Sequence, residues 1–160
     1  MKRRAGLEYI WIVLVGTLSL MTLVNPVRAD ETEHWTALSN TAISITGDVV
    51  FTPTSITFQN NAVLSLSYLG TGPGVTWAPD AKDRPARIFK ITKGGNPAML
   101  GGNTLCGPIP PTYLTVLETV DATAGTTIYL TAFTGSSIPT RADYESRLCA
   151  GFTYMPASKP

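Results

Sequence analysis

Two runs of β-branched and aromatic residues, YLTVLE at residues 113–118 and TIYLTAF at residues 127–133, lie between the two cysteines of this 160-residue chain. Short runs of this composition, separated by turn-forming residues, are typical of β-strands. Cys106 precedes the first run and Cys149 follows the second. We therefore predict a disulfide between Cys106 and Cys149 that joins the entrance of this strand pair to its exit.

A structural disulfide explains the two cysteines better than a redox or metal-binding role. The chain has no C-x-x-C motif and a single histidine, far from both cysteines in sequence. The cysteines are 149 − 106 = 43 positions apart, and closing a loop of that length stabilises a fold by about 4 kcal/mol. We expect the bridge to pin the last strand, at residues 150–155, which would otherwise fray first.

The N-terminus has the pattern of a secretory signal peptide. Basic residues open the chain, and an apolar run follows at residues 9–24. Val27 and Ala29 are the small residues required before a cleavage site. The run is shorter than the roughly 20 residues of a membrane-spanning helix, although an uncleaved anchor is the alternative. We predict that residues 1–29 are removed and that residues 30–160 form a single β domain, periplasmic or secreted.

The charge of the predicted mature chain disfavours nucleic-acid binding. The full chain carries a formal charge of +1, but residues 30–160 hold 8 basic and 10 acidic residues, a net charge of −2. No cluster of lysine or arginine is left that could neutralise several phosphates. After cleavage, no segment predicts a stable membrane span. The scarcity of charged residues, 14% of the chain, together with frequent β-branched residues, predicts an all-β class.

Alternating apolar and polar residues predict seven or eight short strands in total. The additional strands are expected at residues 43–46, 49–52, 55–59, 62–69, 87–92 and 150–155. This pattern predicts a small antiparallel β-barrel closed by pairing of the last strand with the first, with a β-sandwich as the alternative. Asn60 and Asn61 predict a tight hairpin turn. Residues 30–34 are expected to be a mobile acidic arm, and residues 70–74, rich in glycine, to hold no regular element.

No arrangement of residues predicts catalysis, a cofactor or a metal site. His34 lies in the arm predicted to be mobile, whereas catalytic groups must be held rigidly. Neither a nucleophile elbow nor a phosphate-binding glycine motif is present. The carboxylates at Asp48, Glu118, Asp121, Asp143 and Glu145 are scattered and are interpreted as solvated turn residues.

Aromatic and charged residues in two loops are the candidates for binding. Trp77, Lys82 and Arg84 lie in a long loop at residues 77–85, and loops of this length are often functional. Tyr144 and Arg147 lie beside Cys149. Tryptophan, tyrosine and arginine dominate binding hot spots. Trp77 fits a core role equally well, and Trp35 is interpreted as a plug at one end of the barrel.

The favoured function is that of an exported, non-enzymatic binding module. Its partner is either a protein or a small apolar or glycan ligand. A secreted hydrolase that uses carboxylates is the first alternative, and two acidic groups in one cleft would indicate it. A structural envelope component is the second alternative, and a large exposed apolar patch would indicate it.

Three stretches carry a resemblance to known proteins: HWTALSNTAISITGD at residues 34–48, GNTLCG at 102–107 and LCAGFTY at 148–154. Together they resemble small exported proteins of Gram-negative bacteria that have no assigned function. This resemblance implies a periplasmic or secreted location and supplies no catalytic residues. The predicted architecture is also similar to lipocalin-like barrels and periplasmic lysozyme inhibitors, by analogy of fold alone. No motif of the chain matches an inhibitory loop.

Overall fold

The fold is a closed barrel of eight antiparallel strands that pair in chain order. The computed structural model describes residues 32–73, 84–122 and 125–158. The strands are β1 (Glu33–Ala37), β2 (Val49–Thr52), β3 (Ser55–Phe58), β4 (Val63–Pro73), β5 (Pro85–Lys93), β6 (Tyr113–Asp121), β7 (Gly125–Phe133) and β8 (Leu148–Pro156). The prediction of an all-β barrel is therefore confirmed over the sandwich alternative. Residues 1–29, predicted as the signal peptide, lie outside the described residues.

Short helical segments occupy three connections. They are a π-helix (Ala42–Thr46), two 3-10 helices (Leu100–Gly102 and Arg141–Asp143) and the single-turn helix α1 (Tyr144–Arg147). In the described part of the chain, no helix has the length and apolar character needed to cross a membrane.

The last strand closes the barrel against the first, as predicted. Ala37 of β1 lies opposite Tyr154 of β8, and Trp35 lies opposite Pro156. Strand β8 also pairs with β7 along most of its length, from Leu148 opposite Phe133 to Tyr154 opposite Ile128. This closure pairs both edges of β8, which leaves fewer free backbone groups than an open sheet would.

Side chains of alternating residues fill the barrel interior. Because successive residues of a strand point to opposite faces, one set from every strand converges inside. The large buried side chains of the main core belong to this set: Phe51, Ile56, Phe58, Leu64, Leu114, Ile128, Leu130, Phe152 and Tyr154. An eight-stranded barrel has an interior just wide enough for side chains. The aromatic residues thus occupy the space in which some other eight-stranded barrels hold a small ligand.

The two ends of the barrel differ in construction. At one end, Cys106 and Cys149 form the predicted disulfide, with their Cα atoms 5.0 Å apart. Tyr113, which starts β6, and Leu148, which starts β8, both lie opposite Phe133 of the intervening strand β7. The two strands therefore start at the same end, as the bridge requires. We call this the disulfide end, and we call the opposite end, where β1 starts and β8 finishes, the rim.

The π-helix at Ala42–Thr46 replaces the strand predicted at residues 43–46, and that prediction was wrong. The Ile-Ser-Ile-Thr alternation imitates a strand, but the hydroxyl groups bond backward along the chain. Ser44 Oγ donates to Asn40 O at 2.7 Å, and Thr46 Oγ1 donates to Ala42 O at 3.0 Å. Ala42 and Thr46 are buried against the barrel, whereas Ile43 is 56% exposed. Burial of one face of this short turn outweighs the local alternation.

The expectation that residues 70–74 hold no regular element was wrong for residues 70–73. Strand β4 continues to Pro73 because it stays paired with β5, with Gly72 opposite Ala86. A register shift between Tyr68 and Gly70 absorbs the backbone irregularity. A Cβ atom at Gly72 would lie 3.0 Å from Ile88 Cδ1, so glycine leaves room for that side chain.

The prediction of a mobile arm at residues 30–34 was wrong for Glu33 and His34. Both belong to β1, where Glu33 lies opposite Phe51 and His34 lies opposite Val50. Glu33 is also bonded across the barrel to Arg87, as described below, which helps to hold these two residues in the strand. His34 is exposed on the outer face of the strand.

A second apolar cluster lies on the outer face of β5, β6 and β7. Its buried members are Ala86, Ile88, Tyr113, Leu117 and Phe133, with Tyr144 and Leu148 packed against them. Tyr144 belongs to α1 and meets Phe133 edge to face, with ring centroids 6.1 Å apart. The connection between β7 and β8 thus folds back over the outside of the barrel, which explains why outward-facing residues of β6 are buried.

Candidate binding site at the barrel rim

An ion pair between opposite strands lies at the rim. Arg87 Nη1 is 2.7 Å from Glu33 Oε1, and Arg87 Nη2 donates to Glu33 Oε2 at 2.9 Å. Glu33 is two positions before the inward-facing Trp35 and lies opposite the inward-facing Phe51, so its side chain points into the barrel. Arg87 lies opposite the inward-facing Val116 and points inward for the same reason. Each side chain is about one third exposed, at 30% and 32%. The pair therefore faces the barrel mouth and is partly shielded from water.

Glu33 is held in its ionised form. Burial alone would raise its pKa, but the hydrogen bond and positive charge of Arg87 outweigh burial, and the net pKa lies below the ordinary value. Trp35 Nε1 donates a further hydrogen bond to Glu33 Oε2 at 3.1 Å. A carboxylate fixed by three donors is rigid, and it fixes the guanidinium plane in return.

Aromatic rings border the ion pair on its β4–β5 side. The Arg87 guanidinium carbon lies 5.9 Å from the centroid of the Phe89 ring. The Tyr68 ring lies 5.5 Å from the same Phe89 ring, at an interplanar angle of 54°. Phe89 is buried, whereas Tyr68 is 53% exposed. We call Glu33, Trp35, Tyr68, Arg87 and Phe89 the rim cluster.

The unequal lengths of the strands make Tyr68 accessible. Strand β3 starts at Ser55, opposite Ser65 of β4, and the backbone of Leu66 still donates to Thr54 O at 2.7 Å. Beyond this point β4 runs on to Pro73 with β5 as its one paired neighbour among the described residues. At the rim, β2 and β3 therefore extend less far than β4 and β5, and Tyr68 lies on β4 beside this difference in strand length, which we call the step.

The structure separates the residues that the sequence singled out for binding. Arg84 lies at the rim, where its Nη2 donates to Val120 O at 3.3 Å. Trp77 and Lys82 lie outside the described residues. Tyr144 and Arg147 lie at the disulfide end, where Tyr144 packs in the cluster that contains Tyr113. Tyr113 starts β6, and Val120, which Arg84 contacts, lies near the other end of that strand. Arg84 thus lies at the same end of the barrel as the rim cluster, whereas Tyr144 and Arg147 lie at the other end.

Arg147 secures the connection between β7 and β8. Its Nε donates to Thr134 O at 2.7 Å and its Nη1 donates to Ser137 Oγ at 3.2 Å. Asp143 Oδ2 lies 3.5 Å from Nη1. The pKa of Asp143 is lowered by hydrogen bonds from Thr140, with the charge of Arg147 adding to the effect. These contacts show that Arg147 stabilises the connection between β7 and β8, and Tyr144 packs in the outer apolar cluster. A role of either residue in binding stays a prediction.

Sequence reasoning missed the rim cluster, apart from Trp35. Glu33 and Arg87 are 54 positions apart, and no local pattern connects them. Tyr68 belongs to the strand predicted at residues 62–69, and Glu33 belongs to the acidic arm predicted at residues 30–34. The one signal available was an acidic residue two positions before a tryptophan at the start of the fold, and it is weak. Trp35 is 8% exposed in the barrel core, in agreement with its interpretation as a plug.

The scattered carboxylates do not gather into a metal site. Within the described ranges, no group of three or more His, Cys, Asp or Glu side chains is arranged to hold a metal ion. Asp48 Oδ1 instead accepts a hydrogen bond from the Ala37 backbone at 2.9 Å, next to the π-helix connection. Comparison of the chain with known protein families, curated proteins and solved structures finds no match.

Proposed function

We propose that the protein is an exported binding module without enzymatic activity, and that it binds its partner at the rim cluster. Export rests on the signal-peptide pattern of residues 1–29. The observation that carries the binding site is the ion pair of Glu33 and Arg87 beside the exposed ring of Tyr68. A half-buried charged pair with fixed geometry next to an accessible aromatic ring is the kind of preorganised surface that partners recognise.

The filled interior supports binding at the rim rather than inside the barrel. Phe51, Phe152 and Tyr154 are at most 2% exposed and belong to the main core inside the barrel. Enclosing an apolar ligand would require several of these side chains to move, which costs packing energy. The likeness to lipocalin-like barrels therefore remains a proposal about architecture, and we do not extend it to ligand enclosure.

The ionisation of Glu33 argues against the hydrolase alternative at this site. Carboxylate-based hydrolysis needs one carboxyl group that keeps its proton near neutral pH. Arg87 and Trp35 favour the opposite state at Glu33, whose pKa is lowered. Its oxygens also already accept three hydrogen bonds.

Co-sedimentation with the cell-envelope fraction of the host tests this function. Tyr68→Ala removes the exposed rim ring, and Tyr129→Ala is the matched control because Tyr129 is 40% exposed on the outer face of β7. We expect Tyr68→Ala to weaken envelope binding by about tenfold, as loss of a hot-spot aromatic residue does. Tyr129→Ala should bind within about twofold of the wild type on the same scale.

Thermal unfolding of both variants checks that each is folded. Equal retention of the wild type, Tyr68→Ala and Tyr129→Ala would show that the rim is not the binding site. Absence of wild-type binding to every envelope fraction would overturn the function itself.

A further inference from the structure

We infer that the rim cluster is a saccharide-binding subsite, in which a neutral sugar ring stacks on Tyr68 and its hydroxyl groups bond to Arg87 and Glu33. This inference rests on the proposed function and names the class of partner. The inference depends on three properties of the rim cluster. They are the hydrogen-bonding positions of Arg87 and Glu33 that the ion pair does not use, the zero net charge of that pair, and the exposed ring of Tyr68.

Within the described part of the chain, the ion pair keeps both donors and an acceptor that no protein group occupies. A guanidinium group carries five N–H donors, and Arg87 directs two of them to Glu33. An ionised carboxylate has about four acceptor positions, and Arg87 and Trp35 occupy three of those on Glu33. Sugar hydroxyls both donate and accept, and neighbouring hydroxyls match a fixed plane that offers both functions side by side.

The charge of the subsite favours a neutral ligand over an anion. The positive charge of Arg87 is already compensated by Glu33 at 2.7 Å. A ligand carboxylate or phosphate would have to approach the Glu33 carboxylate closely in order to reach Arg87, and like charges at short range repel. A polyol pays no such cost, because its hydroxyls bring no net charge into a partly shielded site.

The aromatic part of the subsite matches the apolar face of a sugar ring. The faces of aromatic rings carry partial negative charge, and the C–H groups on one side of a pyranose carry partial positive charge. Tyr68 is 53% exposed and rests on the buried Phe89 ring, which limits its movement. Among the described residues, no strand pairs with β4 on the β3 side beyond Ser65, which leaves Tyr68 open to a ligand from that side.

A protein partner fits the rim less well than a saccharide. A stable protein interface buries about 800 Å² on each partner around an apolar centre. Of the large exposed apolar residues in the described chain, four lie toward the rim, namely Tyr68, Leu69, Val120 and Met155. Others, such as Ile43, Ile109 and Ile138, lie toward the disulfide end. The rim therefore offers a small site with a few directed polar groups.

An NMR titration of isotope-labelled protein with chitotetraose, cellotetraose and maltotetraose tests the inference. The reporters are the indole N–H of Trp35, which is bonded to Glu33, and the side-chain N–H signals of Arg87. We expect saturable shifts of these signals with at least one of the three neutral tetrasaccharides. Tyr68→Phe should bind within about twofold of the wild type, whereas Tyr68→Ala and Arg87→Lys should each weaken binding about tenfold or more. Tyr129→Ala should leave binding unchanged.

Three results would overturn the inference. The first is the absence of shifts at Trp35 and Arg87 with all three tetrasaccharides. The second is saccharide binding that Tyr68→Ala does not weaken. The third is tighter binding of acetate or a short acidic peptide, detected by the same shifts. If Tyr68→Ala still weakens envelope binding while none of the tetrasaccharides binds, the proposed function stands and the saccharide class is wrong. If both fail, the rim is not a binding site.

Discussion

Glu33 and Arg87 meet across the barrel mouth, with Nη1 to Oε1 at 2.7 Å and Nη2 to Oε2 at 2.9 Å. Their strands, β1 and β5, are four places apart in a closed order of eight, so the pair joins opposite walls of the barrel. Two parallel hydrogen bonds fix orientation as well as distance. The pair therefore links the two walls at the rim, with Trp35 bonded to Glu33 and the Phe89 ring next to Arg87.

The first prediction concerns the pH dependence that Glu33 gives to stability. Because the folded-state pKa of Glu33 is lowered from 4.5, its contribution is present above about pH 4.5 and is lost as the pH falls through the lowered value. We expect the free energy of unfolding of the wild type to fall more steeply below pH 4.5 than that of Glu33→Gln. At pH 7 the variant should be less stable by about 1 kcal/mol, as for a partly exposed ion pair. Parallel pH curves in denaturant titrations would contradict the ion pair.

The second prediction concerns the buried hydroxyl pair that joins the π-helix to the closing strand. Thr46 Oγ1 and Tyr154 OH are 2.8 Å apart, and Thr46 also donates to Ala42 O. Tyr154 is therefore the donor between the two, and its burial raises its pKa well above the ordinary phenol value. Thr46→Val leaves a buried phenol hydroxyl unpaired and should cost about 1–3 kcal/mol, whereas Tyr154→Phe should cost about 1 kcal/mol.

A double-mutant cycle provides the control for this pair. Thr46→Val introduced into Tyr154→Phe should cost less than in the wild type, because no phenol hydroxyl remains to lose its partner. Additive losses in chemical unfolding would show that the two hydroxyl groups are independent.

The third prediction concerns the turn that ends the π-helix. Gly47 has a φ of +59°, and a Cβ atom there would lie 2.5 Å from Gln59 Cβ. Gly95 has nearly the same φ, +57°, with no atom within 4 Å of the added Cβ. Gly95→Ala should cost about 1 kcal/mol from backbone strain alone, and Gly47→Ala should cost at least about twice as much. Equal shifts of the melting temperature would contradict the close packing of Gly47 on Gln59.

The fourth prediction concerns the disulfide. Cys149→Ser should lower the free energy of unfolding by about 2–5 kcal/mol. The structure changes where the loosening is expected, because β8 is paired on both sides with β7 and β1. Residues 103–111 have no strand pairing, and Cys106 anchors them to β8. Hydrogen exchange should therefore rise first at residues 103–111 and later at residues 151–155, and the reverse order would support the strand-fraying interpretation.

Local pattern was sufficient to predict the barrel wall but not its irregular parts. Residues 113–118 and 127–133 form strands because β-branched alternation and cross-strand pairing favour the same conformation there. At residues 43–46 the same alternation was misleading, because burial of Ala42 and Thr46 decided the conformation. Gly70 and Gly72 have low strand propensity, but both belong to β4 because they pair with residues of β5.

The rim cluster could not be predicted for a different reason. Its residues come from β1, β4 and β5, and they meet through the closure of the barrel rather than through spacing along the chain. Tyr68 is exposed because β4 extends toward the rim beyond Ser55, where β3 starts, and relative strand lengths depend on pairing register. Loop composition instead predicted binding residues within residues 77–85 and 144–147. Of the described residues named there, Arg84 lies at the rim.

Hydroxyl-radical footprinting of the protein with and without the host envelope fraction tests the central claim most directly. The labelling of tyrosine rings follows their exposure, and Tyr68 at the rim and Tyr129 on the outer wall start from comparable values, 53% and 40%. A partner bound at the rim cluster is expected to reduce the labelling of Tyr68 severalfold and to leave Tyr129 unchanged. Protection of Tyr129 with no change at Tyr68 would place the binding surface on the outer wall and contradict the account.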